Sequence, residues 1–214
     1  MQITEIFHSI HGESTRAGLP CTFVRLTACN LRCAWCDTEY SFYGGTKMTL
    51  DEVMEEVDHF GCRLVEVTGG EPLLQQEVYP LMDRLLADGY RVMLETSGER
   101  LINRVPNKVV KIVDIKCPDS GAPDTFALKN LDHLSPHDEL KFVISTRRDY
   151  EFARDFTLGY ELTDRVVAVI FAPVHGVAPP ADLAGWMLKD KLEDPIRFGW
   201  QLHKVIWGAQ TPGV

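Results

Sequence analysis

The sequence lacks any apolar run of about 18 residues, and a helix that crosses a membrane needs about 20 predominantly apolar residues. A transmembrane helix is therefore excluded. The first residues, Met1 to Glu5, provide neither the basic segment nor the apolar segment of a secretory signal peptide. We expect a cytoplasmic protein with no membrane partner.

Long basic runs are also absent, and the longest basic cluster is the pair Arg147-Arg148. The 214 residues contain 22 lysines and arginines against 31 aspartates and glutamates, which gives a net charge of −9. Proteins that coat nucleic-acid phosphates carry basic patches, so we predict no nucleic-acid partner. Repeats, low-complexity tracts and linker-like segments are missing as well. We predict a single domain over residues 1–214.

Segments with the character of β-strands alternate with amphipathic helical segments. Strands are predicted at 22–27, 63–68, 91–95, 109–115, 140–145 and 166–172, with a last short one at 197–202. Helices are predicted at 50–60, 80–89, 148–156 and 182–192. This alternation is typical of an α/β fold with a parallel sheet and crossover helices. About six such units are too few for a closed eight-stranded barrel, so we expect a partial (β/α) barrel or an open sheet.

Three of the six cysteines fall within eight residues, at Cys29, Cys33 and Cys36, with the spacing CxxxCxxC. They directly follow the first predicted strand. The segment Thr68 to Pro72, which reads TGGEP, follows the next one. Ligands of parallel α/β sheets bind at the carboxyl ends of the strands, so both segments lie where a site is expected.

Three kinds of site compete for the cysteine triple. A disulfide would leave one thiol over and conflicts with the predicted compartment. A structural zinc site takes four ligands, and no other cysteine or histidine stands at zinc-finger spacing. An iron–sulfur cluster usually takes four thiolates, and three would leave one iron with an open position. Because an open position lets a substrate bind the metal, the triple favours chemistry at a cluster over electron storage.

The CxxxCxxC triple, with Trp35 before its last cysteine, resembles the signature of the radical S-adenosylmethionine superfamily. The TGGEP segment resembles the element of that superfamily that binds the amino group of the methionine moiety. This resemblance implies a partial-barrel core, a 4Fe-4S cluster held by Cys29, Cys33 and Cys36, and bound S-adenosylmethionine. It also implies an external one-electron reductant of the flavodoxin or ferredoxin type.

Local motifs from about Glu5 to Lys204 are similar to the 7-carboxy-7-deazaguanine synthase family, whose reaction converts 6-carboxy-5,6,7,8-tetrahydropterin into a deazapurine precursor of queuosine. These motifs are the segments 5–13, 23–26, 35–38, 95–98, 114–118 and 201–204. The resemblance implies a carbon–nitrogen lyase that contracts the pterin ring, releases ammonia and forms a homodimer. The substrate-binding residues that it implies are Ile10, His11, Gly12, Arg25, Thr96 and the terminal Val214.

The same resemblance assigns cofactor contacts. The residues implied to bind S-adenosylmethionine are Trp35, Cys36, Asp37, Gly98, Asp114, Ile115 and Lys116, and Thr38 is implied to contact Mg²⁺. Two positions depart from the family, because His11 and Ala172 stand where glutamine is usual. The alternatives are another small radical enzyme, such as an activase that places a glycyl radical on a partner protein, and a zinc-stabilised binding protein.

Overall fold

The computed structural model of the chain describes residues 1–208, 211 and 213. Within them, one sheet of nine strands runs in the order β3-β1-β2-β4-β5-β6-β7-β8-β9. The strands are β1 (Gln2–Ile10), β2 (Pro20–Leu26), β3 (Thr46–Lys47), β4 (Leu64–Gly69), β5 (Arg91–Thr96), β6 (Val110–Asp114), β7 (Glu139–Ile144), β8 (Ala168–Pro173) and β9 (Ile196–Phe198).

The sheet is parallel from β2 through β4 to β9, whereas β1 and β3 pair antiparallel at its other edge. This mostly parallel, open sheet confirms the α/β prediction and is consistent with a partial barrel. The two antiparallel strands were not predicted. β1 pairs with β2 along almost its whole length, and Phe7 lies opposite Phe23, so tertiary pairing fixes this strand.

Five helices connect or follow the strands within the described residues: α1 (Leu50–His59), α2 (Val78–Ala87), α3 (Arg147–Gly159), α4 (Pro180–Lys189) and α5 (Leu202–Trp207). The capping box at the start of α1 is present, because Thr49 and Glu52 bond each other's backbone N–H groups. α2 begins two residues before the predicted Pro80, and β9 is shorter than predicted because the chain enters α5 at Leu202. No helix within the described residues has the length and apolarity that a membrane crossing requires.

The two faces of the sheet are buried differently. The outer face contributes side chains such as Val24, Val67 and Leu94 to the main core with α1 to α4. The inner face is apolar toward the amino ends of the parallel strands, where Phe23 and Met93 pack together in a smaller core. Toward the carboxyl ends, the inner face becomes charged. The fold therefore supports a polar site on an apolar floor.

Candidate active site

A cavity of about 560 Å³ opens at the carboxyl ends of the parallel strands. Its walls come from the end of β1, the loop after β2, the ends of β4 to β7 and helix α5. The cavity brings most of the predicted site residues together. Those that line it are Ile10, His11, Gly12, Arg25, Cys29, Cys33, Trp35, Cys36, Asp37, Thr38, Thr96, Asp114 and Lys116.

Two predicted residues are absent from the cavity walls. Gly98 has a φ of +67°, and a Cβ there would lie 2.7 Å from the side chains of Phe126 and Val113, so close packing requires glycine. Ile115 is buried in the main core. Their contacts with S-adenosylmethionine stay predictions. Val214 lies outside the described residues, and its substrate contact stays a prediction too.

The cluster loop, residues 28–36, is anchored at both ends. Ala28 has a φ of +83°, and its N–H donates to the carbonyl of Ser41 at 2.8 Å. The N–H of Ala34 donates to Ser120 at 2.7 Å. A Cβ on Gly70 would lie 2.0 Å from the Ala28 carbonyl oxygen, so the second glycine of the GGE segment lets the two loops meet.

The thiols of Cys29, Cys33 and Cys36 are half-buried, unpaired in any disulfide, and line the same cavity. Burial raises the pKa of Cys29 and of Cys33. Among the described residues, no three Cys, His, Asp or Glu side chains are arranged around a single metal ion. A structural zinc needs four convergent ligands, whereas a four-iron cluster binds each thiolate to a different iron. Three thiols that line one cavity are therefore compatible with a cluster whose thiolates bind different irons.

The remaining cysteines do not contribute to the cavity. Cys21 and Cys117 are fully buried, and Cys62 donates to the carbonyl of Pro20 at the amino end of β2. Because none of them lines the cavity, a cluster on the triple has no fourth thiolate within the described part of the chain. One iron is then free to bind a ligand.

Glu71 of the GGE segment acts as an internal brace. It is completely buried, and one of its carboxylate oxygens accepts from the Thr96 hydroxyl at 2.8 Å. The other accepts from the N–H and the hydroxyl of Ser97, at 2.9 and 2.7 Å. Glu71 therefore holds the end of β4 to the end of β5. The Thr96 hydroxyl is used by this brace, and its substrate contact stays a prediction.

A buried lysine, Lys141, joins the carboxylates of three other elements. Its Nζ lies 2.6 Å from Glu13, 3.6 Å from Asp114, and in direct contact with Glu95. Burial disfavours the charged Lys141 ammonium, but these carboxylates outweigh burial and raise its pKa well above the usual value. Burial likewise disfavours a charged Glu95, but Lys141 dominates and lowers the pKa of Glu95 to about 2.

The sequence alone predicts no role for Glu13, Glu95 or Lys141. The signal was nevertheless present, because Glu95 and Lys141 are charged residues within apolar strand segments. A charge at such a position needs a partner or a ligand.

Asp114 and Lys116 form the cavity wall next to the cluster loop. The Lys116 Nζ lies 3.0 Å from Oδ2 of Asp114, and this pairing outweighs burial and raises the pKa of Lys116. The other oxygen of Asp114, Oδ1, is buried without a hydrogen-bond partner. A buried acceptor without a partner is costly, so this atom fits a hydrogen-bond donor on a bound ligand.

Arg25 extends from β2 into the same cavity. Its Nε donates to Glu5 at 2.8 Å, and its Nη1 donates to the carbonyl of Gly69 at 3.3 Å. Glu5 also accepts from the Tyr40 hydroxyl at 2.7 Å. These contacts fix the plane of the guanidinium, which suits it to bidentate recognition of a carboxylate.

His11 lines the cavity just after β1, and its side chain is hydrogen-bonded within the protein. The N–H of Glu13 donates to its Nδ1 at 3.2 Å, so Nε2 carries the proton and donates to Glu66 at 2.5 Å. Burial raises the pKa of the Glu66 carboxyl, although His11 acts in the opposite direction. At the position where the family usually has glutamine, the His11 imidazole is thus hydrogen-bonded to the buried carboxyl of Glu66.

Replacing His11 with leucine should lower the free energy of unfolding by about 1–3 kcal/mol, because it leaves the buried Glu66 without a donor. His11→Gln restores an amide donor and should recover at least half of this loss. Urea denaturation of both variants at pH 7 measures the effect. Equal stability of the leucine and glutamine variants would show that the bond to Glu66 is unimportant.

Helix α5 closes the cavity from the carboxyl-terminal side. A Cβ on Gly12 would lie 2.0 Å from Nδ1 of His203, so only glycine allows this approach. The Lys204 Nζ lies 2.6 Å from Asp37 in the segment after the last cluster cysteine. Burial disfavours a charged Asp37, but Lys204 dominates and lowers its pKa. The sequence places residues 201–204 in a family motif but predicts no role for the individual residues.

The predicted magnesium contact is Thr38, whose hydroxyl makes one side-chain contact within the described residues. Its hydroxyl lies 3.7 Å from the sulfur of Cys36. Magnesium takes carboxylates, waters and phosphates as ligands, so substrate oxygens and waters would supply most of its shell. The magnesium site stays a prediction.

The chain is similar in sequence to known proteins. Residues 24–115 match the family model described as the radical SAM superfamily. A 7-carboxy-7-deazaguanine synthase of Koribacter versatilis is 55% identical over 228 residues, with 100% of both chains covered. One of Chlorobaculum tepidum is 42% identical, covering 100% of this chain and 97% of the relative.

The fold has a match among solved structures. The crystal structure of QueE from Escherichia coli superposes with a TM-score of 0.76, at 24% identity and with 94% of each chain covered. The full-length relatives and the cysteine triple, which lies within the segment that matches the family model, point to the same family. The chain therefore belongs to the 7-carboxy-7-deazaguanine synthase family of the radical SAM superfamily.

Proposed function

We propose that this chain converts 6-carboxy-5,6,7,8-tetrahydropterin into 7-carboxy-7-deazaguanine and ammonia, on the route to queuosine and related 7-deazapurines. The observation that carries the proposal is the full-length identity of 55% to a 7-carboxy-7-deazaguanine synthase. The single cavity that joins the cysteine triple to Arg25 and the Ile10 to Gly12 segment supports it. The reaction conserves atoms, since the product and ammonia together equal the substrate.

We further propose that Cys29, Cys33 and Cys36 hold a 4Fe-4S cluster and that S-adenosylmethionine binds at its open iron. When bound, these groups supply the radical that abstracts hydrogen from the substrate. Lys116 and the free oxygen of Asp114 face the same space and have the charge and acceptor character to bind an amino acid moiety. The chain contributes binding, orientation and exclusion of water.

The substrate end of the cavity is organised around Arg25. Its guanidinium binds the substrate carboxylate, and the bonds to Glu5 and Gly69 keep it in the required plane. The backbone of the Ile10 to Gly12 segment holds the pterin, and the His11 side chain keeps that segment in place through Glu66. Thr38 contributes its hydroxyl to a magnesium ion that orients the substrate.

The proposed partners follow from the same chemistry. The cluster needs one electron from an external carrier of the flavodoxin or ferredoxin type. We also propose a homodimer, in line with the family resemblance. Nucleic acid is not among the proposed partners, since the chain carries a net charge of −9.

Arg25→Lys should lower kcat/KM for the pterin by about 10- to 100-fold, because lysine keeps the charge but loses the planar fork. Most of the loss should appear as a raised KM. Arg63→Lys is the matched control, since Arg63 is exposed at the amino end of β4. A value of kcat/KM within twofold of the wild type would contradict this role of Arg25.

The proposal is tested by anaerobic turnover of reconstituted, dithionite-reduced protein with S-adenosylmethionine, magnesium and 6-carboxytetrahydropterin. Mass spectrometry should detect 7-carboxy-7-deazaguanine, and tetrahydropterin without the carboxylate should give no product. Release of 5′-deoxyadenosine without a deazaguanine would contradict the proposed substrate and favour another radical enzyme, such as an activase. Bound zinc and no cleavage of S-adenosylmethionine would contradict the enzyme assignment.

A further inference from the structure

Arg32 lies between the first two cysteines of the triple, on the exposed outer side of the cluster loop. Its Nη1 donates to the carbonyl of Cys29 at 2.8 Å and to the carbonyl of Leu31 at 2.6 Å. The side chain therefore folds back on its own loop and bonds the backbone of a residue in the triple.

The guanidinium of Arg32 also makes cation–π contacts with two aromatic rings. Its central carbon lies 4.1 Å from the centroid of the Phe42 ring and 5.8 Å from that of Tyr43. Its Nη2 also lies 3.1 Å from the Tyr43 hydroxyl and donates to it. An exposed arginine is usually free to move, whereas these contacts fix this one in position.

The charge of Arg32 is not neutralised by an acid. Its three side-chain hydrogen bonds go to two carbonyl oxygens and one hydroxyl, and no carboxylate pairs with it in the part of the chain that the structure describes. A whole positive charge is thus held against the loop of a protein whose net charge is −9.

We propose that Arg32 is a positioning residue that holds the cluster loop in shape and raises the reduction potential of the cluster. This inference rests on the proposed cluster at Cys29, Cys33 and Cys36. Reduction adds negative charge to a cluster, so a fixed cation nearby stabilises the reduced form, and net charge is among the factors that set such potentials. The anchoring to the Cys29 carbonyl keeps the cation close to the ligand.

The test compares three variants of the reconstituted protein by redox titration followed by electron paramagnetic resonance. Arg32→Gln removes the charge, and Arg32→Lys keeps it. Arg63→Gln is the matched control, because exposed Arg63 also stacks on an aromatic ring, that of Tyr90 at 4.8 Å. It donates to the Asp88 carbonyl at 3.3 Å, at the opposite end of the strands. Chelator-driven loss of iron measures how firmly the loop holds the cluster.

For Arg32→Gln we expect a threefold to tenfold shift of the reduction equilibrium toward the oxidised cluster, which is about 28 to 59 mV. Arg63→Gln should leave the potential unchanged, which separates a local effect from a change in net charge. Arg32→Lys should keep the potential and lose iron faster, since an ammonium reproduces neither the stacking nor the paired carbonyl bonds.

An unchanged potential in Arg32→Gln, or an equal shift in Arg63→Gln, would overturn the proposal. If Arg32→Gln assembles no cluster, Arg32→Lys decides. Faster loss of iron supports the proposal, and loss at the wild-type rate overturns it. A wild-type protein that takes up zinc and no iron would refute the proposed function itself, which is a different outcome from an unchanged potential.

Discussion

Replacing Cys33 with alanine is expected to reduce formation of the deazaguanine to the background of the uncatalysed reaction, a loss of at least about 10³-fold. The substitution removes the middle cysteine of the triple. The two thiolates that remain are too few to hold a four-iron cluster in which only one iron lacks a protein ligand. Iron content and anaerobic product formation measure the effect. The fold should survive, because the Cys33 side chain faces the cavity and not the core.

Cys62→Ala is the control for this variant. Cys62 is another half-buried thiol, but it lies at the amino end of β4, where it donates to the carbonyls of Pro20 and Leu64. Its removal should leave the iron content and the product yield unchanged. Full activity and full iron content in Cys33→Ala would show that the triple does not hold the cofactor.

Lys141→Met is expected to lower the free energy of unfolding by about 3–5 kcal/mol at pH 7. The substitution leaves the carboxylates of Glu13, Glu95 and Asp114 close together without the ammonium that joins them. Urea denaturation of the apo protein, under reducing conditions, measures this loss. Lys189→Met is the control, because Lys189 is exposed in the last turn of α4, and its replacement should change stability little.

The loss in Lys141→Met should shrink as the pH falls. In the wild type, Glu95 has a pKa of about 2 in the folded state, against an ordinary value of 4.5. A lowered folded-state pKa adds stability that is fully present above the ordinary value and lost as the pH falls toward the folded value. The variant lacks the cation that produces this shift, so its Glu95 is readily protonated. A loss that stays constant from pH 7 to pH 3 would contradict the assigned contacts.

The sequence was enough to predict the parallel part of the sheet, because its strands are mostly apolar segments, its helices have an apolar stripe, and α1 also begins with a capping box. The residue pattern did not reveal β1. Its inward positions include Glu5 and Ser9, and its pairing with β2 is a long-range contact. Local propensity carries no information on such a pairing.

The cysteine triple could be predicted from the sequence because its spacing is local. The ion pairs around the cavity could not be predicted. Lys204 lies far along the chain from Asp37, and Lys141 lies far from both Glu13 and Glu95. The Lys141 pairs form only when the strand ends converge, and the Lys204 pair forms only when α5 reaches the segment after the cluster loop. The role of Glu71 was also hidden, because its sequence position suggests a ligand contact, whereas its oxygens bind Thr96 and Ser97.

The most direct test of the proposed function is the ratio of product formed to S-adenosylmethionine consumed in one anaerobic reaction. If Cys29, Cys33 and Cys36 hold a cluster beside the pterin site, 7-carboxy-7-deazaguanine should exceed the enzyme many times over. S-adenosylmethionine should remain nearly unconsumed, because it acts as a cofactor. One molecule lost for every product formed, or no deazaguanine from an iron-loaded and reduced protein, would contradict this proposal.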